Sequence, residues 1–365
     1  MSSGVPILKL GKYQPRYPLI QGGMGVGISG PRLAGNVARL GAVGTIASVG
    51  LSHNSPHFVL EKRNYFESNE IVIKEVLQQA REIAGPQGIL AVNCMVALTD
   101  YDTEVRAAAE GGANIIISGA GLPLRLPEYT KDFPGVALVP IVSSAKAASL
   151  ITRRWEKQYG RVPDGFVVEA PSTAGGHLGA MTMEQVYDPA LSIEVALPAT
   201  VRFVAEEMKT DIPVIAAGGV WNREDMERMF ELGARGVQMG TRFACTVEGD
   251  ASDRFKQAYI DAKEEDVVLI HSPAGLPGRA IKNPFVAKYL NGEIDSNTPC
   301  FANCLTHCRY RKTRETFCIA MALVDAFNGN WEQGLFFCGS NVVKADKVET
   351  VGKIIGELFA EPIQS

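Results

Sequence analysis

The sequence predicts an α/β protein: a (β/α)8 TIM barrel with a smaller C-terminal cysteine-rich appendage. Three observations carry this. Eight short apolar runs lie between Tyr17 and about Ala262. Segments of helical period separate them. No run alternates strictly apolar with polar, so each suits a parallel strand buried on both faces. A barrel of this kind takes about 250 residues. An open doubly wound sheet is the alternative, but eight regular units with no order reversal favour closure.

The runs are, in order, "YPLIQ", "VGTIAS", "GILAVN", "NIIIS", "ALVPIV", "GFVVEA", "IPVIAA" and "GVQMG". Each is β-branched-rich or bounded by Gly, Pro or Asn. Between them, Ile73, Val76, Leu77, Ala80 and Ala84 share one helical face, as do Val201, Val204, Ala205 and Met208. Met226, Met229 and Phe230 follow a capping Asn222, with Glu224 and Asp225 in the first turn. Gly41, Gly85, Gly112, Gly160 and Gly233 stand where helices end.

After about Lys263 the pattern breaks. "IHSPAGLPGRAIKNPF" is rich in Gly and Pro, "TPCFANCLTHCRYRKTRETFC" concentrates four cysteines, and a helical pattern resumes from about Val348. The expected organisation is a barrel over residues 1–262 and a loop-rich, helical appendage over 263–365. No Ser- or Gly-rich linker divides them.

Composition narrows the function. A hydrophobic content of 46% is enough for a sizeable core, and a net charge of −4 argues against nucleic acid or an anionic membrane as partner. No stretch has the apolar length of a spanning helix, and the first residues lack a secretory pattern. A cytoplasmic protein acting on a small molecule is expected. Seven cysteines in such a chain read as thiols or ligands rather than a disulfide framework.

In a barrel, working residues lie where strands end and loops begin. "QGGMG" after the first run gives Gly22, Gly23 and Met24: bare backbone beside one adaptable apolar side chain. A flat ring system suits that surface; a tight turn onto the first helix is the plainer account. Gly218 and Gly219 follow the seventh run, and Gly240 and Thr241 the eighth. Loops there often hold a phosphate. Asn93 ends the third run and offers an amide. Ser143, Ser144 and Lys146 follow the fifth, where a solvated lysine is the simpler reading.

His177 stands between Gly176 and Leu178–Gly179, after the sixth run. An imidazole titrates near neutrality, so it can take or give a proton. The bare neighbours let backbone approach a ligand. The other histidines carry less. His53 and His57 lie in a polar loop with Pro56. His271 lines the mouth only if the appendage folds over it, and His307 lies among the cysteines. Cys300, Cys304, Cys308 and Cys318 follow C-x3-C-x3-C-x9-C spacing. They suit either an iron–sulfur cluster or zinc, or an apolar stripe on a helix.

At "PLIQGGMG", "AGGHLG", "IPVIAAGGV" and "GARGVQMGTRF" the chain resembles the nitronate monooxygenases, formerly 2-nitropropane dioxygenases, and the related FMN-dependent enoyl-acyl-carrier-protein reductases. The signatures run in the family's order from about Pro18 to Cys245, and "SPAGLPGRAIKNPF" continues the likeness. The resemblance implies non-covalent FMN. By it, Gly22, Gly23 and Met24 back the ring, Asn93 meets its polar edge, Gly176 lies in the binding loop, and Gly218, Gly219, Gly240 and Thr241 hold the phosphate. His177 matches the family's catalytic histidine. One position departs: Thr173 stands where many members carry a glutamate four residues before the histidine.

The leading expectation is thus an FMN-dependent oxidoreductase that oxidises a small nitronate with oxygen. The alternatives are an NAD(P)H-dependent reductase of an enoyl thioester or quinone, and a non-redox aldolase or isomerase using the same phosphate cradle. NAD(P)H as electron donor and a homo-oligomer are left open.

Overall fold

The computed structural model describes residues 4–294, 300 and 302–361. Its strands are β1 (Leu19–Gln21), β2 (Val43–Ala47), β3 (Ile89–Met95), β4 (Ile115–Gly119), β5 (Ala137–Val142), β6 (Phe166–Glu169), β7 (Gly176–His177), β8 (Val214–Ala217), β9 (Gly236–Met239), β10 (Val267–His271) and β11 (Pro277–Ile281). β1 to β6, β8 and β9 form a closed parallel barrel in sequence order, sealed where Leu19–Gln21 pairs with Val237–Met239. These are the eight runs expected from the sequence.

Side chains alternate across each strand. Val43, Ala91, Ile115, Ile117, Val139, Val167 and Ile215 fill the interior, and Leu8 and Leu10 join them. Their neighbours Ile46, Leu90, Val92, Ile116, Leu138, Val168 and Val237 face the helices. Both faces are therefore dry, which is why no run alternates in polarity.

The helices follow their apolar faces. In Tyr65–Ala84, Ile73, Leu77, Ala80 and Ala84 are buried. Asn222 caps Arg223–Glu231: its side chain accepts the Asp225 N–H at 2.9 Å, and the Asp225 carboxylate answers to the Asn222 N–H at 3.2 Å. Gly41, Gly85, Gly112, Gly160 and Gly233 all take positive φ. One face differs from expectation. Ile193–Arg202 runs into a π turn at Phe203–Glu207, so Phe203 and Val204 turn inward and Ala205 is exposed. The wider turn advances the face by about one residue.

Two features cross the expected division at residue 262. β10 and β11 form a hairpin, and β11 pairs antiparallel with β7 through Gly278–His177 and Arg279–Gly176. The last helix, Val351–Phe359, packs between Pro31–Arg39 and Arg223–Glu231. It fills the eighth helical place in the ring. The intervening helix Asp253–Asp261 instead shares a second core with Phe336, Cys338 and Val342. Buried Arg242 ties the ends of this arrangement, bonding Glu349 at 2.9 Å.

Among the described residues, no helix is long and apolar enough to cross a membrane.

Candidate active site

The expected residues gather at the C-terminal mouth of the barrel in two groups and a loop. The first group follows β1, β3 and β9. The Gly22 N–H donates to the Met239 carbonyl at 2.8 Å, which sets the turn beside β9. A Cβ placed on Gly23 would lie 2.5 Å from the Asn93 Cβ, so these two touch and only glycine fits. Gly240 is different. A Cβ there would meet little besides the Met24 sulfur, at 3.9 Å, so Gly240 faces open space.

The second group follows β8 and β9. Gly218 and Gly219 take φ of 89° and 77°, a left-handed backbone that glycine adopts without strain. Thr173 backs them: its hydroxyl would lie 2.8 Å from a Cβ on Gly218. The Thr241 hydroxyl accepts the Gly339 N–H at 2.9 Å, the Ser340 N–H meets the Thr173 carbonyl at 3.2 Å, and the Asn341 amide donates to the Gly219 carbonyl at 2.7 Å. Residues 339–341, far along the chain, thus complete the cradle.

The His177 loop is held from beneath. Arg279 of β11 is buried, with no acidic partner among the described residues. Its guanidinium donates to the carbonyls of Ala174, Ser172 (2.9 Å) and Pro171 (3.4 Å). The β7–β11 pairing then fixes His177, whose Nε2 lies 2.8 Å from the Ser272 Oγ. Phe337 meets the imidazole edge-on at 5.4 Å between centroids. Burial pulls the imidazole down to about 4, so it is neutral at physiological pH.

A carboxyl joins this layer. Glu169 ends β6, two residues after the interior Val167, and therefore points into the mouth. Its Oε2 would lie 3.7 Å from a Cβ on Gly179, beside the Ser143 hydroxyl. Burial pushes this carboxyl up to about 7. Gln238 of β9 alternates inward with it, and its Oε1 is buried without a hydrogen-bond partner.

The remaining candidates lie elsewhere. Ser144 caps Ala145–Tyr159, and Lys146 is exposed in its first turn. His53 packs edge-on against Tyr65 at 5.1 Å, and His57 pairs with Glu75 at 2.9 Å. His271 and His307 are exposed. The cysteines do not follow either sequence reading. Cys304 lies in an extended segment bridged to the barrel at Leu98–Leu305, while Cys308 and Cys318 precede separate helices, so they form no helical stripe. Among the described residues, no three His, Cys, Asp or Glu side chains are grouped to hold a metal ion. An iron–sulfur or zinc site at Cys300, Cys304, Cys308 and Cys318 is without support. Burial, with the neighbouring thiols next, raises the Cys304 thiol to about 12.

Sequence reading missed Glu169, Ser272, Arg279 and residues 337–341. Glu169 alone left a signal: an acid ending an otherwise apolar strand. The others lie in a segment whose spacing says nothing of its place over the mouth.

Paired glycines at the ends of the last two barrel strands, with a half-buried imidazole on the sixth loop, place this chain among (β/α)8 barrels with a polar C-terminal mouth. The nitronate monooxygenase family model matches residues 8–361. The chain belongs to that family and is an oxidoreductase. It is 26% identical over 304 residues to a probable nitronate monooxygenase of Staphylococcus saprophyticus, covering 78% of this chain and 80% of that one. A probable nitronate monooxygenase of Staphylococcus aureus is 27% identical over 290 residues, covering 76% and 79%. In fold, the chain is similar to FabK from Thermotoga maritima, with a TM-score of 0.71, 24% identity, and 95% and 92% of the two chains covered. The nitroalkane oxidase of Streptomyces ansochromogenes superposes with a TM-score of 0.69 at 18% identity, covering 95% and 96%.

Proposed function

We propose that this protein is an FMN-dependent oxidoreductase that oxidises a small nitronate with oxygen. The observation that carries the reading is the meeting of Gly22, Gly23, Met24, Asn93 and Gly240 on one side of the mouth with Gly218, Gly219 and Thr241 on the other, His177 standing between the cradle loop and the β10–β11 hairpin. The residues fit the cofactor. Open space at Gly240 and the orphaned Gln238 Oε1 accept a ring with polar edges. The cradle with Arg279 behind it suits a phosphate. FMN, when bound, supplies the two-electron chemistry between substrate and oxygen.

The chain's own residues do the rest. A nitronate arrives already deprotonated at carbon, so no strong base is required. His177 is neutral and presents its ring to the mouth while Ser272 holds Nε2. It orients the anion and carries a proton at the other ring nitrogen. Phe337 and the β10–β11 hairpin keep water from that side.

The experiment is direct. The purified protein is expected to be yellow, to release FMN rather than FAD in mild acid, and to consume oxygen with propyl nitronate. NADH and NADPH are assayed beside it. Rapid oxidation of either, without nitronate turnover, replaces this reading with the reductase alternative. Protein that stays colourless after incubation with FMN removes both.

A further inference from the structure

Resting on the reading of the mouth as a site for an anionic substrate, we propose that Glu169 is its specificity-determining acid: the protonated carboxyl receives an oxygen of the anion, and the ionised carboxylate turns the anion away. Geometry places it. Inward alternation on β6 sets its carboxyl above Val167, in the upper interior layer that also holds Asn93 of β3 and Gln238 of β9. Its carboxyl end lies over Gly179, two residues beyond His177. Thr173, by contrast, sits against Gly218 and Gly219 and belongs to the cradle. The carboxyl of this site thus comes from the strand end and not from the loop position before the histidine.

The surroundings leave Glu169 without a counter-charge. Ser143 follows β5, Ala217 pairs with Glu169 across β8, and His177 stands on β7. Of these only His177 has a titratable ring, and burial holds it neutral. Lys146, the basic residue of the β5 loop, points to solvent. Deprotonating Glu169 would leave a carboxylate half-buried and unpaired, an outcome burial disfavours. An arriving anion raises that cost further, since like charges in a shared site repel. A neutral substrate feels no such barrier.

The test uses the flavin-loaded enzyme and the flavin-free protein together. For wild type, kcat/KM with propyl nitronate should fall about tenfold per pH unit above roughly pH 7, while reduction of a neutral quinone by enzyme whose flavin has been reduced beforehand with dithionite shows no such limb. Glu169→Gln, which keeps size and a hydrogen-bond donor, should lose the limb for nitronate. In the flavin-free protein, difference infrared spectra should show a protonated-carboxyl band vanishing over the same pH range in wild type and missing from Glu169→Gln, while the band of Asp100, raised by burial to about 6, stays in both. If Glu169→Gln does not fold, Glu169→Asp takes its place, and both limb and band must move. An unchanged limb and band in the folded variant overturns the proposal. Loss of nitronate turnover at every pH in wild type strikes instead at the proposed function.

Discussion

His177 Nε2 lies 2.8 Å from the Ser272 Oγ, and that same oxygen accepts the Ala274 N–H at 3.2 Å. The histidine follows the sixth barrel strand; the serine begins a turn in the hairpin beyond the barrel. Because a hydroxyl both donates and accepts, Ser272 can serve the ring in either protonation state. One bond therefore engages Nε2 whichever nitrogen carries the proton.

His177→Ala should keep cofactor bound and slow turnover by roughly 10²–10⁴. Ser272→Ala removes one hydrogen bond worth about 1 kcal/mol, so kcat should drop by about fivefold with KM little changed. Steady-state kinetics of both variants, with bound flavin measured by absorbance, check this. Unaltered turnover in His177→Ala would return the histidine to a structural role.

Gly240→Val separates folding from cofactor binding. Gly240 has φ of −109°, and its added Cβ meets only Met24 at 3.9 and 4.0 Å. The variant should melt close to wild type yet purify with little flavin. Gly218→Val should behave otherwise, because φ is 89° and Thr173 blocks the Cβ at 2.8 Å. It should lose stability and flavin together, as thermal melts with and without added FMN would record.

Arg279→Met should destabilise the protein by roughly 2–4 kcal/mol, since it strips donors from the buried carbonyls of Ala174, Ser172 and Pro171. Denaturant titration measures the loss. The loop bearing His177 should also gain protease sensitivity. Wild-type resistance in the variant would show that the β7–β11 pairing suffices.

Stability should depend on pH in two opposed ways. Burial holds His177 at about 4, below its ordinary 6.5, so between these values the unfolded chain binds more protons. That contribution is whole above about pH 6.5 and lost as pH falls toward 4. Glu169, at about 7 against 4.5, binds more protons when folded. Its contribution is present below about 4.5 and lost as pH rises through 7. Melting curves of His177→Gln should be flatter than wild type on the acid side, and those of Glu169→Gln flatter toward neutrality.

The barrel was legible because its strands are buried on both faces and five of its helices run into a glycine of positive φ, Gly41, Gly85, Gly112, Gly160 and Gly233. The glycines of the mouth were legible for a related reason: a close approach such as Gly23 to Asn93 leaves no choice of residue. The layer over the mouth was not. Ser272, Arg279 and Gly339 act through tertiary pairing to β7, Thr173 and Thr241, and nothing local in "SPAGLPGRA" or "FCGSNVV" encodes which surface they will meet. The cysteines misled for the converse reason. Their clustering in sequence carries into space, since Cys300, Cys308 and Cys318 all act on the Cys304 thiol, yet an extended segment at Cys304 and separate helix starts at Cys308 and Cys318 replace the single helical stripe, and no metal-holding group forms among the described residues.

Because Val351–Phe359 occupies the eighth place in the helical ring, everything between Met239 and that helix is, topologically, an excursion inside the final strand–helix unit. Synthesis on the ribosome runs in the same direction. The eight strands are made by the time Met239 emerges, but the groove between the first and seventh helices stays bare until residues 351–359 leave the exit tunnel. A nascent chain halted before residue 351 would expose that apolar groove to chaperones.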